Sequence, residues 1–192
     1  MPNPMPTRIT RPAMSDTDKM LLAPLRLQLK AAERYLTPAI LAHAETEFGP
    51  YLDLPQHPVL ITNQMLEYLC AHCLADRPIE EAQQLLGRSY ARYMQIQQSG
   101  FLPHILMRLA SVASWSLIIK GLPQNYAAAT NYGSYWVEEV SSRHWHFNIA
   151  NDPGLPHFIL GTLLQGAESL SWLSQVTYIP MAPQHFSFQI IW

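Results

Sequence analysis

Apolar positions along this chain first recur at intervals of three and four, then change to a period of two. Residues 20–35 carry Leu and Ala at helical spacing, with Pro24 marking a start or a kink. Thr37-Pro38 offers an N-cap followed by a first-turn proline, so a second helix is expected from there to residue 47, stopped by Gly49-Pro50. A third is expected over 62–74, with Met65, Leu66, Leu69, Cys70 and Cys73 as its apolar side. The fourth has the clearest stripe, Ile79, Ala82, Leu86, Tyr90 and Tyr93, opened by Pro78 and followed by Gly100. Glu80 and Glu81 complement the positive end of that helix. A fifth helix is expected over 102–119, ended by Gly121 and Pro123.

Past Gln124 the pattern reads as strands. Segments 131–140 and 143–149 are joined near Ser141-Ser142, with Tyr135, Trp136 and Val137 in the first and Trp145 and Phe147 in the second. Asn151-Asp152-Pro153-Gly154 is a turn, and Pro156 opens a short apolar helix containing Gly161 and Gly166. Two more strands are expected at 176–179 and 186–192. In the last, Phe186, Phe188, Ile190 and Trp192 share one face, and Ser187, Gln189 and Ile191 the other. The fold class is therefore α+β: an N-terminal helical lobe packed on a small antiparallel sheet of about four strands, with an inserted helix. One domain is expected over 16–192, its helical part at 16–122 and its strand–strand–helix–strand–strand part at 130–192. Residues 1–15, with Pro2, Pro4, Pro6 and Pro12, are expected to form a flexible tail.

Composition narrows the function classes. With 192 residues, 48% hydrophobic and 14% charged, the chain can bury a sizeable core. A formal charge of -2 without a dense basic run argues against nucleic acid as a partner. No apolar stretch is long enough to span a bilayer and the first residues lack a signal-peptide core, so a cytoplasmic protein is expected. Two cysteines make no disulfide framework.

An ordered set of motifs carries a family resemblance. Glu80-Glu81-Ala82, Leu86-Gly87-Arg88-Ser89-Tyr90, Gly100, Asn131-Tyr132, Pro153-Gly154-Leu155-Pro156-His157-Phe158, Gly161, Gly166 and Trp192 follow one another along the body of the chain. In that order they resemble a bacterial family of uncharacterised function, with paralogues in myxobacteria and members in Deinococcus. That family is similar in fold to heme–nitric-oxide/oxygen-binding domains and to four-vinyl-reductase domains. The resemblance implies a sensor or binding scaffold with a pocket between the fifth helix and the sheet. The heme-binding relatives carry a proximal histidine on the helix before the sheet, yet residues 106–119 contain none, and His104 lies at that helix's start. Tyr135 and Arg143 do not reproduce the relatives' Tyr-x-Ser-x-Arg spacing, and the zinc-binding cysteine cluster of many four-vinyl-reductase domains is missing. No cofactor is expected, heme included.

Candidate chemistry is sparse. Cys70 and Cys73 sit one turn apart with no second pair to complete a zinc site, which favours core packing. His144 and His146 alternate on a strand and could share a metal ion, with Glu138 or Glu139 on the neighbouring strand as a further ligand. No nucleophile elbow, P-loop, dinucleotide fingerprint or H-E-x-x-H is present, so no catalytic residue is assigned. Tyr90, Tyr93, Trp115, Trp136, Trp145 and Phe147 are the aromatic side chains placed to line an apolar ligand cavity. Trp172 is a candidate for a contact surface. The first functional reading is a non-enzymatic sensor holding a small apolar or amphipathic molecule and signalling to a protein partner. The alternatives are a ligand-free interaction or homodimerisation module, and a cryptic enzyme or metal protein built on His144 and His146.

Overall fold

The structure, a computed structural model, describes residues 9–10, 19–20, 25–54, 56–98, 112–169 and 175–192. Among the described residues of the first half are the helices α1 (Leu25–Ala32), α2 (Pro38–Phe48), α3 (Val59–Cys73) and α4 (Ile79–Gln98). The Thr37 hydroxyl accepts the Ile40 N–H at 3.3 Å and Pro38 occupies the first turn, so α2 starts where its cap signals place it. A 3-10 turn at Gly49–Tyr51 ends it. Leu25, Leu29, Phe48, Met65, Leu66, Leu69, Cys70 and Leu86 meet in one helical core. Met20, the first residue of the stretch read at helical spacing, lies in a two-residue strand β2 (Lys19–Met20) paired with β3 (His57–Pro58). Helix α1 is described from Leu25, the residue after the Pro24 expected to mark a start or a kink.

The fifth helix corrects the expected boundary. Helix α5 (Val112–Ala129) runs through Gly121 and Pro123 rather than stopping there. Each residue disfavours a helix interior, by about 1 and about 3 kcal/mol relative to Ala in exposed helices. Tertiary packing overrides both: Ile119, Pro123 and Ala127 are buried, and Ile119 and Ala127 pack on the sheet. The remaining expected positions, 102–111, fall outside the described residues, as does Gly100.

The second half follows the expected order: β4 (Ser134–Ser141), β5 (His144–Ala150), α6 (Pro156–Ser169), β6 (Gln175–Ala182) and β7 (His185–Ile191). A fifth strand, β1 (Ile9–Thr10), joins them from inside the segment expected to be tail, pairing Ile9 with Tyr135 and Thr10 with Ser134. Strand order is β1-β4-β5-β7-β6 with every pair antiparallel, and β6 is interrupted by an irregularity between Pro180 and Ala182. Alternation sets the faces. Tyr135, Val137, Trp145, Phe147, Ile149, Phe186, Phe188 and Ile190 are buried together under α5 and α6. Trp192 packs at the margin of this second core, and its backbone N–H donates to the Arg143 carbonyl at 3.1 Å. Helix α6 links the two cores. Leu155 just before it and Phe158 within it face the helical core, whereas Ile159, Leu160 and Ala167 face the sheet. It crosses α4 at Gly161 and Gly87.

Candidate functional site

The turn between β5 and α6 places a carboxyl group in the interior. Asn151 adopts φ +56, which turns the chain out of the strand, and the Asp152 N–H donates to the Gln184 carbonyl at 3.2 Å. Asp152 Oδ1 accepts the Gly154 N–H at 2.7 Å, and Oδ2 accepts the Tyr135 hydroxyl at 2.9 Å. Thr130 Oγ1 lies 3.0 Å from that same hydroxyl, at the end of α5. Only 4% of Asp152 is exposed, and no cationic side chain bonds to it among the described residues. Burial pushes the carboxyl above its usual range, partly offset by the Gly154 and Tyr135 donors. Burial first, and then the neighbouring carboxyl, push the Tyr135 phenol upward as well.

Asp152 forms part of the wall of a cavity of about 260 Å³ bordered by residues of α1, α3, α4, α5 and α6. Leu66, Ala91, Ala129, Phe158 and Ile159 give it an apolar lining, while Asn63, Asn125 and Thr130 add polar groups. A second hollow of about 280 Å³ lies between α5, α6 and the strands β6 and β7, against Leu122, Val176 and Ile190. Asn125, Tyr126 and Thr162 border both. The expected position, between the fifth helix and the sheet, matches this second hollow. The buried carboxyl belongs to the first.

The aromatic candidates scatter. Tyr90 lines the first cavity. Tyr93 borders a separate surface groove beside Arg26 and Glu45. Trp145 and Phe147 are not wall residues but core filling, 1% and 0% exposed, with the Lys120 ammonium 5.3 Å from the Trp145 ring. Trp136 faces the opposite side of the sheet, its ring 5.9 Å from His185 and its indole N–H donating to Glu138 at 2.8 Å. The side chain of Trp115 and the whole of Trp172 lie outside the described residues. Asp152 and Tyr126 escaped the sequence reading because one sat in a turn motif and the other beyond the expected helix stop.

Cys70 and Cys73 are free thiols, and Cys70 is buried in the helical core with its thiol pushed up to about 11 by burial. The His72 ring lies 4.4 Å from that of Tyr68. His144 and His146 share the outer face of the sheet, but no group of three or more His, Cys, Asp or Glu side chains converges on a metal position among the described residues.

The profile of a family described as "Protein of unknown function (DUF2378)" matches residues 26–192. The chain belongs to that family. Among curated proteins, no match to the DUF2378 chain is found. Solved structures share its fold at low identity. An Fe(II) unliganded H-NOX protein from K. algicida aligns with a TM-score of 0.63 at 14% identity, covering 87% of this chain and 93% of its own. An IWP-051-bound H-NOX from Shewanella woodyi in the Fe(II)CO ligation state gives 0.60 at 12%, covering 86% and 90%. An oxygen-binding H-NOX domain related to soluble guanylate cyclases gives 0.59 at 7%, covering 86% and 90%. The α+β architecture of the DUF2378 chain is thus the H-NOX-like one.

Among the described residues, the donor set does not fit a histidine-ligated heme. Helix α5 contains no histidine, and the described residues that line the first cavity include no His, Cys or Met and no Arg or Lys to pair with propionates. No helix among the described residues is long and apolar enough to cross a membrane.

Proposed function

We propose that this DUF2378 chain is a non-enzymatic sensor domain that holds a small apolar or amphipathic molecule in the cavity beside Asp152 and signals to a protein partner. The observation that carries this reading is the buried carboxyl, without a cationic partner among the described residues, in the wall of an otherwise largely apolar hollow. Ligand sites commonly combine apolar walls with a few placed polar groups, within about 300–1,000 Å³. At about 260 Å³ this cavity falls just below that range and suits a correspondingly small ligand. The carboxyl would orient the ligand's polar end, accepting a hydrogen bond when ionised and donating one when protonated. The walls come from both cores, so an occupant would act on how α4 and α6 sit together.

Native mass spectrometry of the purified chain tests the reading. The expected result is a retained small molecule that is released on denaturation. An Ala129→Leu variant, which fills the cavity from α5, should lose it while keeping its circular dichroism spectrum. A bare chain mass after expression and after incubation with cell-extract small molecules, or a ligand equally retained by the variant, would overturn the reading.

A further inference from the structure

Strand β5 presents His144 and His146 on the sheet face turned away from α5 and α6, because Trp145 between them points into the core. The two rings lie 5.1 Å apart, which brings their Nε2 atoms to 3.2 Å. Gln189 on β7 stands in register with His146, and its side-chain amide reaches His144 Nε2 at 2.8 Å. Three polar heads from two strands therefore meet at one point.

That meeting is oversubscribed. An imidazole nitrogen has one in-plane site, either a proton or a lone pair, so His144 Nε2 can satisfy only one of its two neighbours. A cation removes the conflict. Both imidazoles can direct lone pairs at it while keeping their protons on Nδ1, and Gln189 can turn its carbonyl oxygen inward, since its oxygen and nitrogen are interchangeable in placement. Zinc–nitrogen bonds of about 2.0–2.1 Å at a tetrahedral angle hold two nitrogens ~3.3 Å apart. The observed 3.2 Å is close to that separation. Glu138, exposed on β4, is the register partner of His146 and at present accepts the Trp136 indole N–H. Side-chain rotation would bring its carboxylate toward the same point.

We propose that His144, His146 and Gln189, with Glu138 in reach, form a divalent-metal site on the outer face of the sheet. Imidazole with oxygen co-ligands selects a first-row cation such as zinc, nickel or copper(II). The site is separate from the cavity beside Asp152 and does not depend on its occupant.

Calorimetric titration of the full chain near neutral pH with Zn²⁺, Ni²⁺ and Cu²⁺ decides it. The expected result is one ion per chain, lost in the His144→Ala/His146→Ala variant and weakened roughly 10-fold by Gln189→Ala, the scale found for groups that support a metal ligand. The Cys70→Ala/Cys73→Ala variant serves as a control and should bind as the parent does. Circular dichroism confirms that each variant is folded, and Co²⁺ should give visible bands that disappear in the histidine variant. Failure of all three ions to bind the parent chain, or binding that survives loss of both histidines, would overturn the proposal.

Discussion

Gly87 on α4 and Gly161 on α6 each leave room for the other helix's backbone. A Cβ on Gly87 would stand 2.0 Å from the Phe158 carbonyl oxygen, and one on Gly161 would stand 2.1 Å from that of Gln84. The two helices thus touch main chain to main chain, and an Arg88–Glu168 ion pair spans the same interface. This contact joins the helical core to the sheet core, since Leu86 belongs to the first and Leu160 to the second.

Alanine at either glycine should therefore destabilise the chain. Alanine is favoured over glycine by about 1 kcal/mol inside a helix, but overpacking costs about 1–3 kcal/mol and occasionally more. With backbone as the obstacle, overpacking wins. Gly121→Ala is the control, because nothing lies within 4 Å of its added Cβ, and it should be neutral or stabilising. Urea midpoints will separate them. Equal midpoints for Gly87→Ala and Gly121→Ala would refute the close crossing.

The Asp152 carboxyl sets a pH dependence of unusual sign. Its folded value is raised above 3.8, so the folded state holds its proton in a window where the unfolded chain has released it. Its contribution to stability falls as pH rises upward from 3.8, whereas a salt-bridged carboxylate would contribute more. Asp152→Asn should flatten that decline. Tyr135→Phe removes one donor to the carboxylate and should steepen it or extend it to higher pH. Unfolding free energies measured across the acid range will show it, and parallel curves for parent and Asn variant would exclude the assignment.

Thiol reactivity should follow burial. Cys70, raised to about 11, is scarcely ionised near neutral pH, whereas Cys73 is half-exposed and its thiol is raised by the same cause. Iodoacetamide should label Cys73 first in the native chain, with both labelled quickly in urea. Peptide mass spectrometry reads the order, and faster native labelling at Cys70 would contradict its placement.

Adding hemin to the purified chain should give no histidine-ligated Soret spectrum. Among the described residues, the first cavity offers iron no imidazole, thiolate or thioether, and α5 carries no histidine. A stoichiometric, saturable Soret band would show that a ligand had been supplied from elsewhere in the chain.

The fold was legible where local signals and burial agree. Thr37-Pro38 marked the start of α2, and the alternation of Phe186, Phe188 and Ile190 marked the buried face of β7. It failed where tertiary packing outweighs propensity: Gly121 and Pro123 read as a stop, yet α5 continues across them because its far end packs on the sheet. That error hid Tyr126 and Asn125, two residues on the border between the hollows. The turn at Asn151-Asp152-Pro153-Gly154 was legible as a turn, but its carboxyl was not legible as buried. Burial there depends on Tyr135 and Gln184, which lie 17 and 32 positions away. Ring count alone also misled, since Trp145 and Phe147 fill space rather than frame it.

Among the described residues, strand β1 occupies one flank of the sheet and β6 is outermost on the other. Outermost strands invite unwanted cross-chain pairing and fibre growth. Pro180 within β6 has no N–H to lend an incoming ribbon, and the irregularity beside it breaks the regular ladder that such a ribbon would need. That flank is thereby guarded against self-association by strand addition.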